Sequence, residues 1–371
     1  MLNMSETHRV FNFGAGPAVL PEPVLAQVQR DLLALPGVGM SVLEISHRSP
    51  TFTEIIETTR TNIKKLAGLP DDYHALFTTG GATQQFAMVP MNLLAPGRTA
   101  DYIVTGSWAK KAAQEAERFG SVHIAASTEA EEFTRVPEQS EFTLSRDSAY
   151  VHLTSNNTIV GTQWRQIPKL KGCFLIVDAS SDIFSRPLDF GEDGIDLLYA
   201  GAQKNLGPAG VTVVIVRDEL LQQADAVDRV RPTMLQYATY AKSGSLHNTP
   251  PVFAIYVLGL VTQWILENGG LKVLERQNER KVQKLYEAID SSDFYQGTAQ
   301  PKSRSWMNVT IRLPNEDLET RFISEAAAAG LVGLKGHRSV GGIRASIYNA
   351  FPESGVATLV EFMREFERVN G

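Results

Sequence analysis

The sequence predicts an α/β protein in which helices cover a mainly parallel β-sheet, followed by a smaller α+β region. Between about residues 75 and 216, short apolar runs alternate with helical patterns. The runs are HALFTT, DYIVTG, AYVHLT, CFLIVDAS, LLYAGAQK and VTVVIV. They are continuously apolar, which is typical of parallel strands buried on both faces. After the stretch HNTPP, longer helices with few strands between them replace this alternation.

Local patterns predict the individual elements. GGATQQFAMVPMNLL and SWAKKAAQEAERFG, which follow the first two apolar runs, are predicted helices. Pro250 and Pro251 precede a helix over residues 252–267, because proline favours the start of a helix. Asn-Gly-Gly ends that helix, and a charged helix follows over about residues 271–289. The remaining elements are a strand in WMNVTIRL, a helix in DLETRFISEAAAAG, a strand in GIRASIYN and a closing helix in GVATLVEFMREFERV.

Length and composition exclude several classes of protein. At 371 residues the chain exceeds the size at which one hydrophobic core usually stops growing, which favours two domains. We place their boundary at the Gly-Gly pair, giving a large domain over residues 16–268 and a small domain over residues 269–371. The net charge of −6 argues against non-specific nucleic-acid binding, which needs a basic surface. The single cysteine, Cys173, excludes a disulfide framework and is expected to be a small buried residue, and no metal site is predicted.

The sequence contains no segment typical of export or membrane insertion. The N-terminal residues lack the charged start and apolar core of a signal peptide. The longest apolar stretch, residues 252–266, is too short to cross a bilayer and is expected to be a buried helix. These observations predict a cytoplasmic protein that does not contact a membrane.

Three polar features follow apolar strands, and each has an ordinary structural explanation. Gly80 and Gly81 come between a strand and a helix, where free backbone N–H groups can bind a phosphate, although such glycines are often present for steric reasons. Asp178 ends an apolar strand and could simply cap the next helix. Lys204, in AGAQKNLGPAG, could be a solvated loop lysine.

Taken together, the three features resemble a pyridoxal-phosphate site. In such a site the glycine turn binds the cofactor phosphate, and the aspartate keeps the pyridine nitrogen protonated. The lysine forms a Schiff base with the cofactor aldehyde and later moves the proton on the substrate Cα. The pattern therefore assigns the covalent and proton-transfer roles to Lys204 and the electronic role to Asp178.

Longer motifs identify the chain as similar to the phosphoserine aminotransferase family, in class V of the fold-type-I aminotransferases. The matching stretches are FNFGAGPAVLP, SVLEISHRS, YAGAQKNLGPAG, NTPPVFAIY, SDFY, LKGHRSVGGIRASIYNA and FMREFER, and they span the chain. The resemblance implies a seven-stranded, mainly parallel sheet in the large domain, with residues 1–15 packing on the small domain. It implies a homodimer with shared active sites. The implied reaction is reversible amino transfer between L-glutamate and 3-phosphohydroxypyruvate, with 4-phosphohydroxy-L-threonine as a second product.

The resemblance also implies a set of cofactor ligands. Ala82 and Thr83 match backbone donors to the phosphate, and Gln203 matches a further phosphate ligand. Trp108 matches the aromatic residue that stacks on the pyridine ring, and Thr158 matches a hydroxyl donor to the ring. Asn248 and Thr249 match phosphate ligands that come from the neighbouring subunit.

Substrate anions are matched by a second set of residues. Arg344 corresponds to the ligand of the substrate α-carboxylate, which suits the planar donors of a guanidinium. His47 with Arg48, and His337 with Arg338, correspond to positions that bind the distal phosphate or carboxylate, the second pair being expected from the partner subunit. Some family members carry an arginine in the glycine turn where this chain has Thr83. That difference removes one positive charge from the predicted substrate site.

Three alternatives remain open on sequence grounds. An alanine–glyoxylate aminotransferase would share the fold, but the paired His-Arg dipeptides would be wasteful for an uncharged substrate side chain. A cysteine desulfurase needs a reactive cysteine on a mobile loop, whereas Cys173 lies in an apolar run. A nucleotide-binding module could use the Gly80–Gly81 turn without catalysis.

Overall fold

A computed structural model describes residues 9–227 and 229–371. The strands are β1 (Phe11–Asn12), β2 (Tyr73–Thr78), β3 (Thr99–Val104), β4 (Ser121–Ser127), β5 (Ser148–Thr154), β6 (Asn156–Asn157), β7 (Thr162–Gln163), β8 (Phe174–Asp178), β9 (Ile195–Gly201), β10 (Thr212–Arg217), β11 (Gln296–Gly297), β12 (Asn308–Arg312), β13 (Leu331–Val332) and β14 (Ile343–Ser346). The helices are α1 (Glu22–Asp31), α2 (Pro50–Ala67), α3 (Gly81–Leu93), α4 (Ser107–Ala116), α5 (Phe190–Asp193), α6 (Asp218–Ala226), α7 (Tyr237–Lys242), α8 (Val252–Glu267), α9 (Gly270–Asp290), α10 (Glu316–Ala328) and α11 (Glu353–Asn370).

A seven-stranded sheet forms the centre of the molecule. Its strand order is β2-β10-β9-β8-β5-β3-β4. Only β10 runs antiparallel to its neighbours, so β2 and the other five strands share one direction. The predicted mainly parallel α/β sheet is therefore confirmed. Because the strands share a direction, their carboxyl ends lie at one edge, where loops can bring distant residues together.

Helices cover both faces of this sheet, as the continuously apolar strands require. One face packs with residues of α2 and α8 in a hydrophobic cluster that includes Phe52, Ile56 and Ile255. The other face packs with α3, α4 and α6 in a second cluster that includes Phe86 and Met88. Tyr102, Tyr150 and Tyr199 also belong to the second cluster.

Helix α8 occupies the residues that the sequence predicted, and half of its sixteen residues are buried. Gly269, which has a φ of 92°, ends the apolar pattern, and α9 begins at the next residue. Among the described residues, no single helix is long and apolar enough to cross a membrane. Helices α8 and α9 taken together have the length and composition of a membrane-spanning segment. However, the two helices are bent by 85° relative to each other, and α8 lies in the core.

A second architecture follows α8. Strands β11, β12 and β14 form an antiparallel sheet, and a third hydrophobic cluster packs it against α9, α10 and α11. The predicted strands and helices of this region are present, with shifts of a few residues at their ends. Phe13 belongs to this third cluster, and β1 pairs with β13 in parallel. The division into domains at residues 268–269 stays a prediction, and residues 1–8 of the predicted N-terminal segment lie outside the described residues.

Cys173 lies immediately before β8 rather than inside a strand, and it is half-buried rather than fully buried. Burial raises the pKa of its thiol, which favours the uncharged form. An uncharged, half-buried thiol is a poor nucleophile.

Candidate active site

A cavity of about 390 Å³ lies at the carboxyl edge of the seven-stranded sheet. Three strands end at it: Thr154 is the last residue of β5, Asp178 is the last residue of β8, and Lys204 follows β9. The first residues of helices α3 and α4 complete that edge. The cavity therefore collects loop residues at the place where a parallel sheet is expected to bind its ligand.

Nine of the predicted site residues line this cavity, and five do not. The lining residues are Ala82, Thr83, Trp108, Thr158, Asp178, Gln203, Lys204, His337 and Arg344. The five that lie elsewhere are His47, Arg48, Asn248, Thr249 and Arg338. The cavity thus brings together a lysine, an aspartate, an aromatic ring and an arginine from four separate parts of the chain.

Lys204 is held in a poorly solvated position. Loss of water lowers the pKa of its ammonium; Asp178 opposes that shift, and the positive charge of Arg344 adds to it. A lowered pKa favours the neutral amine, which is the nucleophilic and basic form of lysine. The Lys204 amine forms no hydrogen bond with the described residues, and the side chain lines the cavity.

The backbone at Gly16 lies directly against Lys204. Gly16 has a φ of 139°, and a Cβ placed there would lie 3.3 Å from Lys204 Cγ and 3.7 Å from its Cε. The neighbouring segment is anchored because the Ala18 N–H donates to the Gln203 carbonyl at 2.8 Å. A glycine is therefore required where the N-terminal segment covers the lysine.

Asp178 is a buried carboxylate with one free oxygen. It is 4% exposed, and both the hydroxyl of Ser180 (2.6 Å) and its backbone N–H (3.0 Å) donate to Oδ1. Burial raises the pKa of Asp178, and the two hydrogen bonds from Ser180 oppose the rise. Oδ2 accepts no hydrogen bond from the described residues. A cationic or protonated group in the cavity would therefore stabilise the carboxylate.

The N-terminus of α3 offers backbone donors to an anion. Gly80 caps this helix with a φ of 79°, and Gly81 follows with a φ of 64°. Ala82 and Thr83, in the first turn, line the cavity. The N–H groups of a first turn have no partner within the helix, and the helix dipole adds partial positive charge there. This end of the cavity suits a phosphate group.

A hydrogen-bonded chain links the aromatic ring to the arginine. Trp108 Nε1 donates to Thr158 Oγ1 at 3.3 Å, and one terminal nitrogen of Arg344 donates to the Thr158 carbonyl at 3.1 Å. Arg344 Nε is buried without a hydrogen-bond partner among the described residues. Burial lowers the pKa of Arg344 from its very high ordinary value. A guanidinium nitrogen that lies beside a cavity without a partner can donate a hydrogen bond to a carboxylate.

The expected contribution of His337 to the partner subunit's site stays a prediction, and His337 lies on the wall of its own chain's cavity. The reason is local: the Gly336 N–H donates to the Gly342 carbonyl at 2.9 Å, and the Arg344 N–H donates to the Leu334 carbonyl at 2.7 Å. These bonds fold the loop before β14 back onto that strand. His337 is therefore placed beside Arg344 in the same chain.

The remaining predicted residues occupy other places. His47 is 7% exposed, and its Nε2 has no hydrogen-bond partner in the described part of the chain. Arg48, Asn248, Thr249 and Arg338 are all exposed, and Arg338 follows His337 in the chain. Their roles at a site of this chain or of a neighbour stay predictions.

Several lining residues were missed from the sequence. Ser180 holds Asp178, as described above, and Ser181 donates to the Asn156 carbonyl at 2.9 Å. Asn156 Nδ2 donates to Ser181 Oγ at 2.8 Å and to Asn308 Oδ1 at 2.8 Å. The pair of serines directly after Asp178 was the available signal, because serine after a strand-end aspartate commonly bonds back to it. Asn156 gave no local signal.

The residues present fit pyridoxal phosphate. The cavity contains a lysine biased to the neutral amine, a buried carboxylate that forms no ion pair with the described residues, an aromatic ring and a helix N-terminus with glycines. Each matches one part of that cofactor: the aldehyde, the ring nitrogen, the ring face and the phosphate. Among the residues that the structure describes, no group of three or more His, Cys, Asp or Glu side chains could hold a metal ion.

Comparisons with known proteins agree with this chemistry. The family model described as aminotransferase class-V matches residues 10–359. A phosphoserine aminotransferase of Desulfosudis oleivorans is 53% identical over 365 residues, covering 98% of this chain and 99% of that protein. The structure of a phosphoserine aminotransferase from Bacillus circulans subsp. alkalophilus superimposes with a TM-score of 0.95 at 48% identity, covering 98% of this chain and 99% of the other. A pyridoxal-phosphate-bound phosphoserine aminotransferase from Trichomonas vaginalis superimposes with a TM-score of 0.90 at 35% identity, covering 96% and 100%.

Proposed function

The chain belongs to the class-V aminotransferase family, and from that premise we propose that it transfers an amino group between L-glutamate and 3-phosphohydroxypyruvate. The products are O-phospho-L-serine and 2-oxoglutarate, a step of L-serine biosynthesis, and the cofactor is pyridoxal 5′-phosphate. The observation that carries the proposal is the meeting of Lys204, Asp178 and Arg344 in one cavity. It is supported by 53% identity over nearly the whole chain to a phosphoserine aminotransferase.

Lys204 and Asp178 have different roles in the proposed reaction. When bound, the cofactor supplies an aldehyde for the amino group and a ring that withdraws electrons from the substrate Cα. Lys204 would hold it covalently, and the Lys204 amine would move the proton on the substrate Cα. The lowered pKa of Lys204 favours the neutral amine that this step needs. Asp178 would keep the ring nitrogen protonated, and that positive charge would stabilise the buried carboxylate in turn.

Arg344 binds the α-carboxylate that both amino-acid substrates carry. Its Nε is buried without a partner among the described residues, and Thr158 fixes the rest of the guanidinium. A carboxylate that accepts from such a guanidinium is held in one orientation. The substrate Cα would thereby be directed toward Lys204. Distal anionic groups would then lie on the side of the cavity where His337 is placed.

Further parts of the proposal concern assembly, a second substrate and location. We infer a homodimer in which Asn248 and Thr249 contribute to the neighbour's cofactor site, because both are exposed and lie away from their own chain's cavity. We also infer that the same cavity forms 4-phosphohydroxy-L-threonine, the reaction used in pyridoxine synthesis, and that the protein is cytoplasmic.

The absorbance of the cofactor tests the reaction. The purified protein is expected to absorb visible light, to lose that band when L-glutamate is added, and to regain it with 3-phosphohydroxypyruvate. L-alanine and glyoxylate are the matched control pair for the alternative aminotransferase. A protein that responds to L-alanine and glyoxylate but not to L-glutamate would refute the proposed substrates. A colourless protein that binds nucleotide would favour the non-catalytic alternative.

A further inference from the structure

His337 lies close to three positive charges on its own chain. Its pKa is lowered first by burial and then by the charges of Arg344, Arg338 and Lys111. Its Nδ1 accepts the backbone N–H of Ser339 at 3.2 Å, which places the proton of the neutral ring on Nε2. His337 is thus a neutral donor near neutral pH and adds no full charge to this end of the cavity. Any net charge there comes from the neighbouring cations.

None of these three cations has a carboxylate partner in the described part of the chain. Within residues 9–227 and 229–371, Arg338, Arg344 and Lys111 form no ion pair. Like charges gathered without a counterion repel one another, and a bound anion removes that repulsion. The arrangement therefore favours a ligand with more than one negative charge.

Lys111 is distinguished from its sequence neighbour by its contacts. Its Nζ lies 4.6 Å from the centroid of the Trp108 ring, and Trp108 lines the cavity. Lys110, one position earlier on α4, turns away and pairs with Glu129 at 2.5 Å. Successive helical residues point about 100° apart, which explains the difference. Lys111 is thus an exposed cation held at the edge of the cavity by an aromatic face.

We propose that Lys111 is a specificity-determining residue that recognises the second negative charge of a phosphorylated substrate. The inference rests on the proposed function and adds to it a residue that the sequence did not indicate. Arg344 is engaged by the α-carboxylate, and Thr83 and neutral His337 bring no charge, which leaves Lys111 and Arg338 as the cations beside His337 that can act on the distal group. A phosphate carries nearly two negative charges at neutral pH, whereas the distal carboxylate of glutamate carries one. Lys111 therefore acts more strongly on O-phospho-L-serine than on L-glutamate.

Single-turnover conversion of the cofactor band, with O-phospho-L-serine or L-glutamate alone, measures this preference. Lys111→Met keeps the aliphatic contact with Trp108 and removes the charge. It is expected to weaken the apparent dissociation constant for O-phospho-L-serine about tenfold and that for L-glutamate about threefold, with limiting rates retained, because one charge-assisted contact is lost. Lys111→Arg restores most of the affinity. Lys110→Met, the matched control, behaves like the wild type with both amino acids.

Each outcome decides the proposal. If Lys111→Met weakens the apparent binding of both amino acids equally, Lys111 does not recognise the second negative charge. The same follows if Lys111→Arg weakens the binding of O-phospho-L-serine as much as Lys111→Met does. Titration of His337 by NMR gives a readout independent of turnover: Lys111→Met is expected to raise its pKa, and an unchanged pKa would show that Lys111 does not act at this place. A wild-type protein that converts neither amino acid would refute the proposed function itself, and the role of Lys111 with it. If the wild type converts both amino acids and Lys111→Met binds them as tightly as the wild type does, only the proposed role of Lys111 is refuted.

Discussion

Lys204 shows how position changes the chemistry of one side chain. Most lysines are solvated cations, but the surroundings of Lys204 favour the neutral amine. We expect Lys204→Ala to abolish amino transfer while the free energy of unfolding changes by less than about 1 kcal/mol, because the amine makes no hydrogen bond to the described residues. Steady-state assays and urea denaturation measure the two effects. Lys272→Ala, at an exposed lysine outside the cavity, is the matched control.

Borohydride reduction checks the covalent role of Lys204 directly. Wild-type protein treated with borohydride is expected to retain the cofactor on the peptide that contains Lys204, as seen by mass spectrometry. If Lys204→Ala still retains cofactor after reduction, another residue is the anchor.

Gly16 provides a second test at the scale of single residues. Alanine there would be strained by the φ of 139° and would press on Lys204 Cγ. Gly37, with a φ of 77°, has nothing within 4 Å of the place that a methyl group would occupy, so Gly37→Ala carries the strain without the contact. We expect both variants to lose about 1 kcal/mol of stability and only Gly16→Ala to lose turnover, about tenfold or more. Equal activities of the two variants would show that the segment does not control Lys204.

The sequence was informative about site residues that have a strong local pattern. Lys204 and Asp178 stand out because a charged residue directly follows an apolar strand. Asn156 does not, since its role depends on Asn308, 152 positions away. The role of His337 was inferred from the resemblance, and its place on the wall of its own chain's cavity depends on loop hydrogen bonds that were not readable from the sequence. Lys111 could not be distinguished from Lys110 in the sequence, because their different contacts depend on how α4 is oriented in the fold.

Among the elements, the strands that were missed have weaker patterns than those that were found. β4, the seventh strand, lies at the edge of the sheet, and only two of its seven residues are buried. An edge strand pairs on one side only and can be partly polar, so it lacks the continuous apolar run of the six other strands. Helix α2 was not predicted, although the sequence contains signals for it. Ser49 caps the helix, Pro50 begins it, and Gly68 ends it with a φ of 59°.

Helix α9 contributes an unusual contact to the cavity's surroundings. Lys281 is 1% exposed, and its Nζ donates to the carbonyls of Ile347 (3.1 Å), Tyr348 (2.7 Å) and Phe351 (3.2 Å). The turn it holds also bonds to the loop that contains Lys204, since Asn205 Oδ1 accepts the N–H of Asn349 at 3.0 Å. One buried ammonium therefore connects α9 to the residue that follows Lys204.

The pH dependence of stability tests this contact. Burial lowers the pKa of Lys281 to about 7, so between pH 7 and its ordinary pKa the unfolded chain binds more protons than the native protein. Stability from this residue therefore rises with pH across that window. We expect the difference in unfolding free energy between the wild type and Lys281→Met to change by about 2 kcal/mol from pH 7 to pH 9, in favour of the wild type, as measured by urea denaturation. A difference that does not vary with pH would mean that Lys281 titrates normally.

At the scale of the whole molecule, the proposed dimer predicts complementation between inactive subunits. Lys204→Ala removes the anchor, and Asn248→Asp places a negative charge where the neighbour's cofactor phosphate is expected. If Asn248 serves the partner's site, one hybrid site contains both lesions and the other contains neither. Equal mixing with subunit exchange is then expected to restore about a quarter of wild-type activity, since half of the dimers are hybrids with one intact site. No recovery, with exchange verified by mass, would mean that each site is built from one chain.

Segments that are far apart in the sequence meet beside Lys204, and this has a consequence for protein synthesis. β1 pairs with β13, and the Tyr348 hydroxyl donates at 2.8 Å to the carbonyl of Ala15, 333 positions earlier. A ribosome therefore makes the segment that covers Lys204 long before it makes these two partners. A nascent chain that ends before β13 holds the complete seven-stranded sheet but lacks two of the contacts that hold its N-terminal segment. Amino transfer is therefore expected only after β13 and β14 have been made, so translation products that stop earlier carry Lys204 without its complete surroundings.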